Sequence, residues 1–403
     1  MVVGIISEYN PFHNGHLYQI EKIREEFGAD TAIIAVMSGN FVQRGGIAIA
    51  DKALRAKCAV ISGVNLVLEL PFPFSMSSAE FFAKSAVNIL NSLGCVDVLS
   101  FGSESGDIDT LVKIATAMSS NIYTDTVEEL MASPESAKLG YPRICEQAFI
   151  SLFGQGIDFD FSPNNILAVE YIKALISSNS SITPHTIKRH GNLFSDESIV
   201  EGNIQSATAI RTAIANKDIS ALEFVPNITK NIVLDAIKTG DFPCDEEKLG
   251  TAIISSFRLN SPTTDEAIHD AAGGLYNRLK DISFKTNTIK DMVISAESKK
   301  FTKARIRRAI FNSFLSVTSS QVKELPQYTQ ILALDSIGRG ILKSIRKRSE
   351  FPILTKPSDT ADLGDVAKKQ KELSDRADSV FQLAKPLPKD GNLSVRFTPF
   401  VKK

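Results

Sequence analysis

The chain has 403 residues, with 45 Lys and Arg against 46 Asp and Glu, so its bulk charge names no partner. That length suffices for two or three domains and a sizeable core. No apolar run reaches transmembrane length, and Cys58, Cys95, Cys145 and Cys244 form no Cys-x-x-Cys pair. A membrane-spanning chain and a disulfide-framed secreted domain are therefore excluded, and a cytoplasmic protein with free thiols is expected.

Residues 2–6 are a short, β-branched run and read as a buried first strand. Tyr9-Asn10-Pro11-Phe12-His13-Asn14-Gly15-His16 follows at once, and residues 17–23 carry apolar side chains at helical spacing. The two histidines thus bracket a glycine on a strand-to-helix turn. Free backbone N–H groups and the positive end of the helix dipole favour an anion there. Gly15 allows close approach of a phosphate, and the imidazoles can donate hydrogen bonds to its oxygens. A zinc site would need a further ligand, and His185, His190 and His269 lie far off in sequence. No glycine-rich phosphate loop of either common type is present.

Strands are expected at 31–37, 66–71 and 96–101, with helices at 51–62 and 79–93 between them. Asp51 caps the first of these helices and Gly63 stops it. This alternation predicts an α/β fold with a parallel, Rossmann-like sheet and a ligand cleft beyond the carboxyl ends of its strands. Residues 107–161 read as helical, and Ser162-Pro163-Asn164-Asn165 is a turn in which Asn164 or Asn165 opens a helix over 166–176. A last strand is expected at 182–189, then a loop through Gly191, Gly202 and Asn203. Ser206-x-Thr208-x-Ile210-Arg211 marks another helix start, with hydroxyls and a guanidinium suited to phosphates. Beyond residue 218 the chain reads as mainly helical, and 358–378 as a surface helix or linker.

Two basic clusters stand out: Lys299, Lys300, Lys303, Arg305, Arg307 and Arg308, then Arg339, Lys343, Arg346, Lys347 and Arg348. Local concentration of charge in a neutral chain suits a phosphate backbone. Phe301 and Phe311 would stack on bases or anchor their helix, the second being the ordinary outcome.

His-x-Gly-His after the first strand, joined to the later Ser-x-Thr-x-Ile-Arg, resembles the HIGH-motif nucleotidyltransferase superfamily. Glu8 to His16, Met37-Ser38-Gly39-Asn40-Phe41-Val42-Gln43-Arg44-Gly45, Phe101-Gly102-Ser103-Glu104, Ser162-Pro163-Asn164-Asn165-Ile166-Leu167 and the basic segment Phe301 to Arg308 narrow the match. They resemble the bacterial tRNA(Met) cytidine acetate ligases over nearly the whole chain.

The resemblance implies a nucleotidyltransferase-like domain at 1–216 for ATP and acetate, and a mainly helical, basic region at 217–403 for tRNA. It implies that acetate and ATP give acetyl-adenylate, and that the wobble cytidine of elongator tRNA(Met) then takes the acetyl group on N4. Ile6, Ser7, Glu8, Tyr9, Asn10, Pro11, Phe12, His13, Asn14, Gly15, His16, Leu17, Tyr18 and Gln19 would wrap the ATP. Gly102 would line the adenosine pocket, and Asn164 and Arg189 would add contacts. His13 and His16 would stabilise the phosphates, and Ser206, Thr208 and Arg211 would grip them further. Lys303, Arg305, Arg307, Arg308, Arg346 and Lys347 would meet the tRNA. Mg2+ would arrive with ATP rather than in a protein metal box. No protein nucleophile is required, and Glu69 and Glu104 read as scaffold or orienting groups. The alternative is a small-molecule nucleotidyltransferase moving AMP to a phosphorylated acceptor, which leaves the long second half unexplained. A non-enzymatic RNA-binding protein would have no need of both phosphate motifs.

Overall fold

The computed structural model describes residues 1–133, 139–154, 160–189, 205–259, 268–393 and 397–402. The first half runs β1 (Val2–Ser7), α1 (Asn14–Phe27), β2 (Ala32–Ser38), α2 (Lys52–Ile61), β3 (Leu66–Leu70), α3 (Ala79–Ser92) and β4 (Val98–Ser103). Then come α4 (Ile108–Met118), α5 (Asn121–Ala132), α6 (Tyr141–Phe153), α7 (Pro163–Ser177), β5 (Thr183–Lys188) and α8 (Ala207–Ala215). The second half holds α9 (Asn227–Lys238), α10 (Gly250–Leu259), α11 (Leu275–Ser283), α12 (Ile289–Ala296), α13 (Lys303–Leu315), α14 (Ser319–Lys323), β6 (Thr329–Leu334), α15 (Ser336–Arg348), β7 (Ile353–Leu354), α16 (Asp365–Phe381) and β8 (Phe400–Val401).

The sheet order is β5-β4-β1-β2-β3-β6-β7, with β8 also on β6. β1 pairs in parallel with both β2 and β4, so the strand order reverses at the β1–β4 boundary. That switch point is where a doubly wound sheet opens a crevice for a ligand. β2 is buried at every position, as a central parallel strand covered on both faces must be. One face packs against α3, α7 and α15, the other against α1, α2, α8 and α9. A separate core gathers α10 to α13 with α16.

Three expectations need correction. The sheet is not confined to residues before 216, because β6, β7 and β8 come from beyond it and β6 joins β3 antiparallel. The helix after Phe161 starts at Pro163 with Ser162 as its cap residue, so Asn164 and Asn165 lie in its first turn. The charged stretch before Asp378, expected as a surface helix or a linker, is a helix but not a purely surface one: α16 buries Leu373, Ser374, Ala377 and Asp378. The loop expected through Gly191, Gly202 and Asn203 lies outside the described residues, as does His190.

α16 is fastened to the sheet by charge. The Lys52 ammonium donates to Glu69 at 2.7 and 2.8 Å and to Asp378 at 2.5 Å. Asn40 donates to the other Asp378 oxygen at 2.9 Å and accepts from the Lys52 backbone N–H at 2.8 Å. Burial alone would lower the pKa of Lys52, but Asp378 and Glu69 together raise it. Removing one member of a buried ionic group strands the others in a dry site. Lys52→Met is expected to destabilise the protein by about 3–5 kcal/mol in urea unfolding. A loss within about 0.5 kcal/mol, typical of surface positions, would contradict this reading.

Candidate active site

β1 ends at Ser7, and the chain then turns through Tyr9, whose φ of +48° lies in the left-handed region, and a cis Asn10–Pro11 bond. His13 is the N-cap of α1. Its Nδ1 accepts from the Gly15 backbone N–H at 3.0 Å, and its own backbone N–H donates to His16 Nδ1 at 3.2 Å. This reciprocal cap decides the chemistry of both rings. With Nδ1 occupied as an acceptor, a neutral imidazole carries its proton on Nε2. The ring centroids stand 3.9 Å apart, backed by Tyr9 and Phe12.

Burial, with the positive charges of Arg189 and Arg211 beside it, pulls the His13 pKa down to about 3. Burial and its neighbours His13 and Arg189 hold His16 well below its ordinary value too. Two neutral N–H donors therefore sit at a helix N-terminus between two guanidinium groups. They line an open cleft together with Gly15, Tyr18, Gln19, Gly102, Ile187, Lys188 and Arg189.

Of the fourteen consecutive residues from Ile6 to Gln19 expected to wrap ATP, the cleft is lined by His13, Gly15, His16, Tyr18 and Gln19. Ile6, Tyr9, Asn10, Pro11 and Phe12 are buried, while Ser7, Glu8, Asn14 and Leu17 are half-buried. Asn10 accepts from the Ile49 backbone N–H at 2.8 Å, and Glu8 from that of Gln43 at 2.8 Å. Much of this segment is thus the floor of the cleft rather than its lining. Gly102 packs closely under Arg189: a Cβ there would stand 3.2 Å from Arg189 Cγ and push that side chain aside. Asn164 donates to Glu104 at 2.5 Å, just beyond the end of β4.

The second constellation meets the first through Arg211. Ser206 caps α8 by accepting from the Ala209 N–H at 3.0 Å. Arg211 donates to the Asn10 carbonyl at 2.7 Å and to the Thr208 hydroxyl at 3.0 Å. Arg211 thus buttresses the histidine turn as well as adding charge to it. Sequence reasoning passed over Ile187 as a lining residue and over Arg55 altogether. Arg55, almost fully buried, donates to the carbonyls of Ala50, Glu8, Ser38 and Gly39. Nothing in its mid-helix position signals that role.

Comparison with known proteins adds a frame. The HIGH nucleotidyl transferase family matches residues 1–394. The tRNA(Met) cytidine acetate ligase of Caldanaerobacter subterraneus subsp. tengcongensis is 40% identical over 361 residues, 88% of each chain. That of Thermoanaerobacter sp. (strain X514) is 38% identical over 366 residues, 89% of each. The chain belongs to this ligase family. Thermotoga maritima TmcAL in its apo form superposes with a TM-score of 0.92 at 32% identity, over 99% of both chains. The same Thermotoga protein bound with alpha-thio ATP gives 0.90 at 32% identity, again over 99% of both.

Within this ligase-family chain the two basic clusters differ sharply. On α13, Arg305 donates to the carbonyls of Asp270 and Ala272, at 3.1 and 2.8 Å. Arg307 pairs with Glu246 at 2.6 Å and donates to the Gly45 carbonyl at 2.8 Å, while Arg308 pairs with Asp270 at 2.7 Å. These three guanidiniums fasten the helical body to itself and to the loop after β2. They do not form a free cationic face, and the expectation that they would is corrected by their acidic and carbonyl partners. Phe301 and Phe311 are buried and serve as anchors. Lys303 is exposed, 3.6 Å from Glu297. On α15, Arg339, Lys343, Arg346 and Lys347 are all exposed at spacings of one helical face.

The neutral histidines make a pH prediction. Unfolded imidazoles bind protons below about pH 6.5, whereas the folded rings resist until far lower. Their contribution is therefore complete above about pH 6.5 and is lost as pH falls, by up to about 1.4 kcal/mol per pH unit for each ring. His13→Asn keeps a capping side chain and should flatten the fall of the urea midpoint between about pH 6.5 and 4.5. Equal slopes in variant and parent would rule out buried neutral rings.

Proposed function

We propose that this enzyme is a cytoplasmic ATP-dependent acetate ligase acting on elongator tRNA(Met). An acetate oxygen attacks the α-phosphorus of ATP, and pyrophosphate leaves. The N4 amine of the wobble cytidine then attacks the acetyl carbon, AMP leaves, and the amine releases a proton, giving N4-acetylcytidine. The observation that carries the reading is the pair of neutral His13 and His16 rings, fixed as Nε2 donors at the start of α1 between Arg189 and Arg211. Such a preorganised donor set serves negative charge that grows on phosphate oxygens during in-line displacement.

Among the described residues no group of three His, Cys, Asp or Glu side chains gathers to hold a metal. The donor set fits Mg2+ carried by the nucleotide, with phosphate oxygens and water as its ligands. Asn164, Arg189, Ser206 and Thr208 border the ATP site in this reading. Residues 1–216 supply most of it, and the later region supplies the tRNA surface. That surface centres on α15, with Arg346 and Lys347, and includes Lys303.

Supplied with acetate, ATP and a tRNA(Met) transcript, the enzyme should produce acetylated cytidine and release pyrophosphate only when acetate is present. Acetate-independent pyrophosphate release would sink the ligase reading in favour of nucleotidyl transfer to another acceptor. His16→Ala should slow acetyl-adenylate formation by about 10²–10³-fold, the usual effect of deleting one such donor.

Reversing charge at Arg346 and Lys347 together should weaken tRNA binding and reduce the log–log salt slope by about 2. An unchanged slope would move the tRNA surface elsewhere.

A further inference from the structure

Two of the sequence motifs, Phe101-Gly102-Ser103-Glu104 and Ser162-Pro163-Asn164-Asn165, meet in space. The Glu104 carboxylate accepts from the Asn164 side-chain amide at 2.5 Å through Oε1 and from the Asn165 backbone N–H at 3.0 Å through Oε2. In return the Asn165 side-chain oxygen accepts from the backbone N–H groups of Glu104 and Ser105, at 3.0 and 3.4 Å. Asn165 then donates to the Asp160 carbonyl at 3.0 Å, so its own amide is spent on the fold.

Asn164 is different. A carboxylate accepts only, so the Asn164 group facing Glu104 must be the NH₂, whatever assignment is made for the amide. Its oxygen is thereby turned away from Glu104. Among the described residues nothing donates to that oxygen, and it is not sealed within the core. The pairing stands at the mouth of β4, two residues beyond Gly102, which lines the cleft. The charge of Glu104 also reaches Arg189, whose backbone N–H donates to the Ser103 carbonyl at the end of the neighbouring strand.

We propose that Glu104 is a positioning residue that fixes the Asn164 amide so that its oxygen accepts a hydrogen bond from the nucleoside of ATP. The inference rests on the ATP-binding reading above and adds which atom of Asn164 faces the ligand and why. Adenosine offers donors at the N6 amine and at the 2′ and 3′ hydroxyls. Guanine carries an acceptor, O6, where adenine has its amine, so an oxygen aimed at the base would select against GTP. The shared requirement is a donor on the ligand.

Glu104→Gln tests this while keeping shape. Asn164 and Asn165 are met by different oxygens of Glu104, and a glutamine keeps an acceptor at only one of those two places. With its oxygen on the Asn165 N–H, its NH₂ faces Asn164, whose amide is then turned to present its own NH₂ outward. Acetate-dependent pyrophosphate release is measured for parent and variant with ATP, GTP, purine riboside triphosphate, 2′-deoxy-ATP and 3′-deoxy-ATP. Thermal unfolding is recorded alongside.

The parent should lose about tenfold in kcat/KM for the one analogue lacking the recognised donor, the size of one hydrogen bond. Purine riboside triphosphate identifies the base and the deoxy nucleotides identify the sugar. The variant should show a KM for ATP raised about tenfold, kcat within about twofold, and no remaining discrimination against that same analogue. A uniform loss across all nucleotides would mark Glu104 as a helix cap alone and overturn the proposal. So would a parent that handles every analogue as well as ATP, a result independent of whether the variant folds. A parent that does not bind ATP at all would instead remove the ligase reading itself.

Discussion

The turns that follow the first two strands of this sheet depend on one buried guanidinium. Parallel strands end in carbonyl groups that leave the ladder, and a buried carbonyl without a donor is costly. Arg55 meets that demand for three of them, reaching Glu8 after β1 and Ser38 and Gly39 at the end of β2, and it also donates to the carbonyl of Ala50 before α2. Hydrogen bonds from a charged donor contribute about 1.5–3 kcal/mol each, roughly twice a neutral bond. Burial draws the Arg55 pKa down only to about 10, with Asp51 and Glu8 opposing the shift, so the charge survives at neutral pH. A lysine has three donors on one point and cannot span carbonyls of two strand ends in this way. The histidine turn is therefore held from below before any ligand arrives.

A second constraint ties the two halves of the chain into one sheet. β6 pairs antiparallel with β3, and the Thr329 hydroxyl donates to the Glu69 carbonyl at 2.6 Å. Glu69 in turn shares Lys52 with Asp378 of α16. The division at residue 216 is thus one of sequence composition rather than of the sheet. Motion between the ATP cleft and the later helices has to respect a buried ionic cluster that spans both.

What was readable in the sequence was local. The strand, turn and helix around His13 and His16 are encoded by a β-branched run, a glycine and a helical period within some twenty residues, and each agrees with its neighbours. The same holds for Asp51 as a cap and for Ser206 at the start of α8. What escaped was non-local. β6 is buried throughout and holds only a short apolar run, residues 331–334, which periodicity cannot distinguish from buried helix, and the partner strand lies far back in sequence. Arg305, Arg307 and Arg308 read as a phosphate-binding face because they concentrate positive charge locally in a chain of almost zero net charge. Their acidic partners, Glu246 and Asp270, sit on other elements and gave no local sign. The cleft's electrostatics were legible only in part: the paired imidazoles could be found, but their tautomer depends on a reciprocal cap visible only in three dimensions.

That tautomer bears on how the site treats a tetra-anionic nucleotide. Protonated histidines would bind ground-state phosphates strongly from the outset, and uniform binding of that kind does not accelerate the chemical step. Burial holds both rings neutral, reinforced by Arg189 at both and by Arg211 at His13, and these guanidiniums supply the fixed charge. In the proposed reaction, negative charge shifts toward the departing pyrophosphate as the α-phosphorus is attacked. The Nε2–H donors strengthen as their acceptors gain charge, and incoming phosphate opposes the very cations that suppress protonation. Stabilisation is then greatest where charge develops, which is what a preorganised cleft achieves with neutral dipoles and cannot achieve with two more permanent cations.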